Sequence, residues 1–406
     1  MSEGILSGLR VIEAAAFVAA PLGGMTLAQM GADVIRIDPP GGGLDYRRWP
    51  VTNDNTSLFW CGLNKAKRSV CIDFSKPAGR ELAMALITAP GEEAGILITN
   101  FPPRGPLDYE KLRAKREDLI QVTIQGDRHG GSAVDYTVNP RTGLPYLTGP
   151  ATTSDPVNHV LPAWDLLTGQ MAATGLLAAE RHRRRTGQGQ HIKLALEDVA
   201  LATMSNLGFT AEAQLGRERE RVGNFLYGAF GGEFRCAGGE RIMVIGLTKK
   251  QWSALRDALG LDAELAALGS ALQLDLDLEG DRYRARERIA VLVASRIGAQ
   301  SIDQVSSAFD RHGVCWSRYQ TVGDLVANDP AFSDENPLFA TIDQPAVGRL
   351  RVPTIPLDFG RGGRLRPSPA PLLGEHTATV LKELLGLNSA EIQRLEQDGV
   401  IGMAGT

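Results

Sequence analysis

The succession of elements along the chain predicts an α/β fold, a parallel sheet covered by helices on both faces. Three observations carry that expectation. Short apolar runs of strand length recur through the first 125 residues, helix-length stretches fall between them, and glycine is abundant at 46 of 406 residues. Strands that alternate with helices are joined by crossovers, as parallel pairing requires. Surplus glycine suits the tight turns where strand ends meet ligands.

The elements follow in order. Residues 9–13 form the first strand, a loop runs through Phe17, and a helix over about 20–30 is stopped by Gly31. Residues 33–37 are the next strand, closed by Pro39, Pro40 and three glycines. Runs at 69–72, 95–99 and 119–124 read as further strands, with a helix over 78–88. Ligands of such sheets sit beyond the carboxyl ends of the strands, here 17–20, 38–43 and 100–104. The span 165–185 is the clearest helix, with Leu166, Met171 and Leu176 on an apolar stripe and Gly187 as its stop. Its cationic end, Arg181 with Arg183, Arg184 and Arg185, predicts a solvated terminus that suits the helix dipole. A strand at 192–196 and a helix with Val199 and Met204 come next.

Composition shifts after Gly216, where 217–221 alternates Arg and Glu like a linker. Beyond it lie a strand at 241–245 and helices at 250–259 and 284–296. Segments 331–339 and 353–371 read as extended connections, followed by helices at 381–385 and 389–397. The expected domains are 1–216, 225–320 and 330–406.

Lys plus Arg is 43 and Asp plus Glu is 47, for a net charge of −4, so nucleic acid is excluded as a main partner. No apolar run approaches the ~18 residues of a membrane span, and residues 1–8 lack a signal-peptide pattern. Cys61, Cys71, Cys236 and Cys315 show no C-x-x-C spacing, and the six histidines form no ligand motif. A cytoplasmic protein with reduced thiols and no metal is expected.

Two acids stand out. Asp38 ends the second strand as the ribose-binding acid of a dinucleotide fold does, but the first turn, Ala14 to Ala19, has no G-x-G-x-x-G. A dehydrogenase is therefore disfavoured, and Asp38 is expected to be satisfied structurally. Asp165 precedes the long amphipathic helix and reads as its N-cap, ionised near the ordinary carboxylate pKa of about 3.9. An ionised carboxylate can also attack an acyl carbon without a partner base and form a mixed anhydride.

Several segments together resemble the class III CoA-transferase superfamily, which includes acyl-CoA racemases. They lie at 6–13, 31–36, 64–70, 99–101, 186–190 and 372–377. The resemblance implies a Rossmann-like large domain built from both chain ends, a smaller inserted α+β domain, and an interlocked homodimer. It implies Asp165 as nucleophile and an acyl-CoA substrate, with CoA entering as part of the substrate and no tightly bound cofactor. The family's CoA-binding segments fall on Val18, Ala19, Ile72, Asp73, Phe74, Ser75, Asn100, Phe101 and Arg104. The racemases' Gly-His-Asp has its counterpart in Ala133-Val134-Asp135, so one of two proton-transfer groups is missing and racemisation is disfavoured. Stretches 134–140 and 157–165 resemble members that move CoA from the C1 to the C4 carboxyl of mesaconyl-CoA in the 3-hydroxypropionate cycle of carbon fixation. The alternative is transfer between an acyl-CoA and a separate acid. Arg47, Asp135, Tyr136, Asn139 and His159 are the candidates for holding the substrate's free carboxylate.

Overall fold

A computed structural model describes residues 4–361 and 363–404. Residues 1–3, at the start of the segment without a signal pattern, and 405–406, at the end of the last expected domain, lie outside the described residues. The chain forms two compact units, residues 1–142, 160–211 and 330–406 in one and 143–159 with 212–329 in the other.

The first unit is built on a seven-stranded sheet. Its strands are β1 (Arg10–Ala14), β2 (Asp33–Asp38), β3 (Arg68–Ile72), β4 (Ile96–Thr99), β5 (Ile120–Gln125) and β6 (Gln190–Ala195), parallel in the order β3-β2-β1-β4-β5-β6. The chain's other end adds a short antiparallel strand beside β3, pairing Ile401 with Ile72. Both chain ends therefore build one sheet.

Alternation along the strands sorts the core into two layers. Val11, Val34, Ile98 and Val122 pack under helices Ala19–Gln29 and Ala163–Thr186, alongside Leu27, Ala172 and Leu176. Ile12, Ile35, Val70 and Leu97 point the other way, against Leu82 and Leu86 of helix Pro77–Ile87 and Val380 and Leu381 of helix Thr377–Leu385. The first two helices touch backbone to backbone. A Cβ on Gly169 would lie 2.6 Å from the Ala19 carbonyl oxygen, and one on Gly23 would lie 3.0 Å from that of Gly169. Only glycine permits this approach, which fixes the start of the long helix beside the start of Ala19–Gln29.

The helix's basic end differs from expectation at one position. Arg181, Arg184 and Arg185 are exposed, but Arg183 is buried and donates to the carbonyls of Ala94 and Asp118. Between the two expected extended connections, 331–339 and 353–371, lies a hairpin that was not expected, β7 (Phe339–Gln344) against β8 (Gly348–Pro353).

The second unit carries three antiparallel strands, β9 (Phe230–Arg235), β10 (Arg241–Gly246) and β11 (Cys315–Arg318). They pack through Phe230 and Val244 on Trp252, Val293 and Phe309 of the helices Lys249–Leu259, Arg286–Gly298 and Ile302–His312. Segment 217–221 is no free linker. Arg219 pairs with Glu212, and the Arg221 guanidinium donates to the carbonyls of Pro145, Tyr146, Thr153 and Asp155, tying 143–159 into this unit. Among the described residues, no helix is long and apolar enough to cross a membrane.

Candidate active site

Three loops meet at the carboxyl end of the sheet, after β1, β4 and β5. They enclose a cavity of about 830 Å³ whose wall also takes Arg48, Trp49 and Phe59 from the connection after β2, and Asp165 from the long helix. β1 and β4 are neighbours at the centre, where the connections diverge to opposite sides, and such sheets hold ligands there. Of the three strand-end loops expected to meet ligand, those after β1 and β4 line the cavity; 38–43 does not.

The loop after β1 is held in an unusual backbone state. Phe17 has φ +68°, a left-handed conformation that costs a non-glycine residue free energy. Hydrogen bonds impose it. Ala16 N–H donates to Asn100 Oδ1 at 3.0 Å, Asn100 Nδ2 donates back to the Ala16 carbonyl at 2.7 Å, and Phe17 N–H donates to Asp45 Oδ2 at 3.1 Å. Asp45 is itself gripped by Arg36, whose guanidinium also binds Asp38 twice at 2.8 Å. Glu13, Asn64 and Lys67 complete this buried ionic cluster, with Lys67 Nζ 2.8 Å from Glu13 Oε2 and donating to Asn64 Oδ1 at 2.9 Å. Asp38 is thus satisfied by an ion pair at the end of β2. Past Phe17 the helix Ala19–Gln29 begins with no side-chain cap, and Val18 and Ala19 border the cavity.

Asp165 is not the cap of its helix. The helix starts at Ala163, so Asp165 lies in its first turn, and Asp135 from the loop after β5 takes the capping role. Asp135 Oδ2 accepts from Trp164 N–H at 2.7 Å and Asp165 N–H at 3.2 Å. Nearby, Asn139 Oδ1 accepts from Trp164 Nε1 at 3.1 Å. The Asp165 carboxylate accepts no hydrogen bond among the described residues and borders the cavity. Its pKa is correspondingly displaced. Burial, then the nearby Asp135 charge, push it up to about 6, while Arg48 pulls it down. The ordinary value expected of a helix cap does not hold here, because partial burial and the Asp135 charge disfavour the ionised form while the helix N–H groups bond to Asp135 instead.

The arrangement is an unbonded carboxylate with its pKa raised to about 6, on the wall of a cavity of about 830 Å³ that also takes in an uncapped helix start. A sequence model of CoA-transferase family III matches residues 6–377. The chain belongs to that family. It is 57% identical over 401 residues, 98% of each chain, to a Chloroflexus aurantiacus protein named 2-methylfumaryl-CoA isomerase. It is 29% identical to the alpha subunit of succinyl-CoA–L-malate CoA-transferase from the same organism, over 98% of this chain and 92% of that one. Among solved structures it resembles a CAIB/BAIF family protein from Brucella suis, with TM-score 0.76 and 28% identity over 94% of this chain and 100% of the other. The chain is a class III CoA-transferase-family enzyme with the α/β fold of its relatives.

Of the residues singled out from sequence, the cavity unites Val18, Ala19, Asn100, Phe101, Asp135, Tyr136 and Asp165. It does not include Arg104, or Ile72, Asp73, Phe74 and Ser75 at the end of β3; the Ile72 side chain is in the core. Asn139 is buried against Trp164, and His159 falls in the second compact unit. Arg47 lines a separate cavity of about 600 Å³ with Trp60 and Cys61. Val134, where the racemases carry their histidine, borders the main cavity without a proton to transfer. Phe17 belongs to the expected segment 17–20, whereas Arg48 and Phe59 were not singled out. Arg48 stands beside Arg47 in an irregular loop, where no periodicity tells which of two arginines faces inward.

Proposed function

We propose that this enzyme isomerises mesaconyl-CoA by moving CoA from the C1 to the C4 carboxyl. The observation that carries this reading is the 57% identity, across 98% of both chains, to the protein named 2-methylfumaryl-CoA isomerase. The Asp165 carboxylate in its cavity supplies the chemistry.

Asp165 attacks the C1 thioester carbon and CoA leaves as thiolate, giving an aspartyl-acyl anhydride. The thiolate then attacks the Asp165 carboxyl carbon and expels mesaconate, leaving an enzyme-CoA thioester. The C4 carboxylate of the same mesaconate attacks that thioester, expelling the thiolate and forming a C4 anhydride. Attack by the thiolate on C4 releases Asp165 and the product, with no net proton change. Burial makes Asp165 a stronger base, and hence a better nucleophile, than a solvated aspartate. Trp164 and Asp165 N–H are occupied by Asp135, so the oxyanion donors in this reading are the first N–H groups of Ala19–Gln29. Retaining both fragments keeps each recombination unimolecular. Asp73, Phe74, Ser75 and Arg104 are assigned to the remainder of the CoA, and the assembly to an interlocked homodimer, which would sediment at twice the 43.6 kDa chain mass.

The test uses unlabelled mesaconyl-C1-CoA with excess labelled free mesaconate, together with mass spectrometry of Asp165. Unlabelled C4 thioester and a CoA adduct on Asp165 are expected. Efficient label entry would assign the chain to intermolecular transfer instead, and deuterium from solvent at an acyl carbon would revive the racemase reading.

A further inference from the structure

The cavity wall carries three charged side chains among the described residues, Arg48, Asp135 and Asp165. Asp135 is committed to the helix N–H groups and Asp165 to nucleophilic attack. Arg48 remains. Its guanidinium makes no ion pair and donates no hydrogen bond among the described residues, although it lies near enough to Asp165 for its charge to be felt there. It lies over the ring faces of Phe17 and Phe59, 5.6 and 5.1 Å from their centroids. Stacking of this kind positions the planar group while leaving its N–H fork unspent.

The backbone beneath it is fixed. Arg48 N–H donates to the Asp45 carbonyl at 3.1 Å, and the Ser57 hydroxyl donates to the Arg48 carbonyl. Asp45 is in turn held by Arg36 at 3.0 Å. A hydrogen-bonded loop therefore presents an exposed cation with free donors at a cavity whose wall also carries the Asp165 carboxylate. A monocarboxylic acyl-CoA needs no such group, whereas an acyl chain ending in a second carboxylate would be repelled by Asp165 without it.

We propose that Arg48 selects dicarboxylic acyl-CoA substrates by binding, through its guanidinium fork, whichever substrate carboxylate is not reacting. This rests on the isomerase reading and deepens it. Arg48 holds the C4 carboxylate while Asp165 attacks C1; after the enzyme-CoA thioester forms, mesaconate turns end for end and Arg48 holds C1 while C4 attacks. The same contact keeps free mesaconate from escaping between the half-reactions. A planar guanidinium can bind a carboxylate bidentately, and an ammonium cannot.

Affinity is measured on the Asp165→Asn protein, with mesaconyl-CoA and the monocarboxylic crotonyl-CoA as paired probes. Adding Arg48→Gln is expected to weaken mesaconyl-CoA about 10–100-fold, as loss of charge-assisted hydrogen bonds does, and to leave crotonyl-CoA unchanged. Arg48→Lys recovers part of the loss. With Asp165 intact, Arg48→Gln is expected to admit labelled mesaconate into the product. Equal weakening of both probes would reduce Arg48 to a structural or CoA-binding role, and no change in either would remove it from the site. The two readings fail separately. Wild-type enzyme that does not isomerise mesaconyl-C1-CoA, yet loses its dicarboxylate preference through Arg48→Gln, overturns the isomerase and keeps Arg48. Wild-type isomerisation with no preference to lose does the reverse.

Discussion

Two groups of charges lie along the strand ends of the large unit, and they are treated oppositely. Glu13, Arg36, Asp38, Asp45 and Lys67 are all at most 4% exposed, and each is bonded to another member. At the cavity, Arg48 and Asp165 make no ion pair or side-chain hydrogen bond among the described residues. Charges that satisfy one another build a platform. Charges with no protein partner in a concave site are available to a substrate: Arg48 is exposed with its donors free, and Asp165 is partly buried with its ionised form disfavoured.

The contrast is broken most severely at Asp165, the nucleophile of the proposed reaction. Asp165→Asn is expected to lower turnover by at least about 10⁴-fold, the scale on which loss of a covalent nucleophile acts. The same change should stabilise the fold. A carboxyl whose folded pKa is raised from 3.8 to about 6 favours the native state below pH 4 and loses that advantage as pH rises through 6. In urea titrations at pH 8 the asparagine variant should therefore gain up to about 3 kcal/mol over wild type, measured relative to their difference at pH 4. A variant that is inactive and markedly destabilised at pH 8 would instead make Asp165 structural.

In the paired cluster, activity and stability should fall together. Arg36→Met strands Asp38 and Asp45 in the interior, and breaking a buried pair costs about 3–5 kcal/mol. Arg48→Met leaves nothing stranded and should move urea stability by no more than about 0.5 kcal/mol. Equal costs for the two arginines would erase the distinction.

Gly169→Ala probes the frame that joins the two helix starts. Its added methyl would meet the Ala19 carbonyl at 2.6 Å, so a loss of about 1–3 kcal/mol is expected, together with reduced turnover as the helix starts separate. The smallest effect concerns pH. The acid limb of kcat/KM should lie near 6, since protonated Asp165 cannot attack. Asp135→Asn keeps an acceptor for the helix N–H groups but removes a negative neighbour. The limb should then move to lower pH; a limb that stays in place would assign it to another group.

Much of the fold is legible locally. Strand-length runs such as 33–37 and 119–124 have only one economical use in a soluble chain, and alternation tells the two sheet faces apart. The hairpin at β7 and β8 was missed because its strands are partly exposed and polar, so they carry no apolar period. Arg183 was taken for a solvated charge because its partners are carbonyls from two other strand connections, more than 60 residues away in sequence.

The sequence by itself determined the α/β class, pointed to the carboxyl ends of the strands where the cavity lies, and singled out Asp165, which lines it. These depend on periodicity, turn residues and local motif, which adjacent residues specify together. Only the tertiary structure decided that Asp135 caps the long helix, that Asp165 stands partly buried on the cavity wall with a pKa raised to about 6, and that Arg48 rather than Arg47 lines that cavity. Desolvation and the field of a charge thirty residues away depend on distances in space, and an irregular loop has no period from which its inward side could be read.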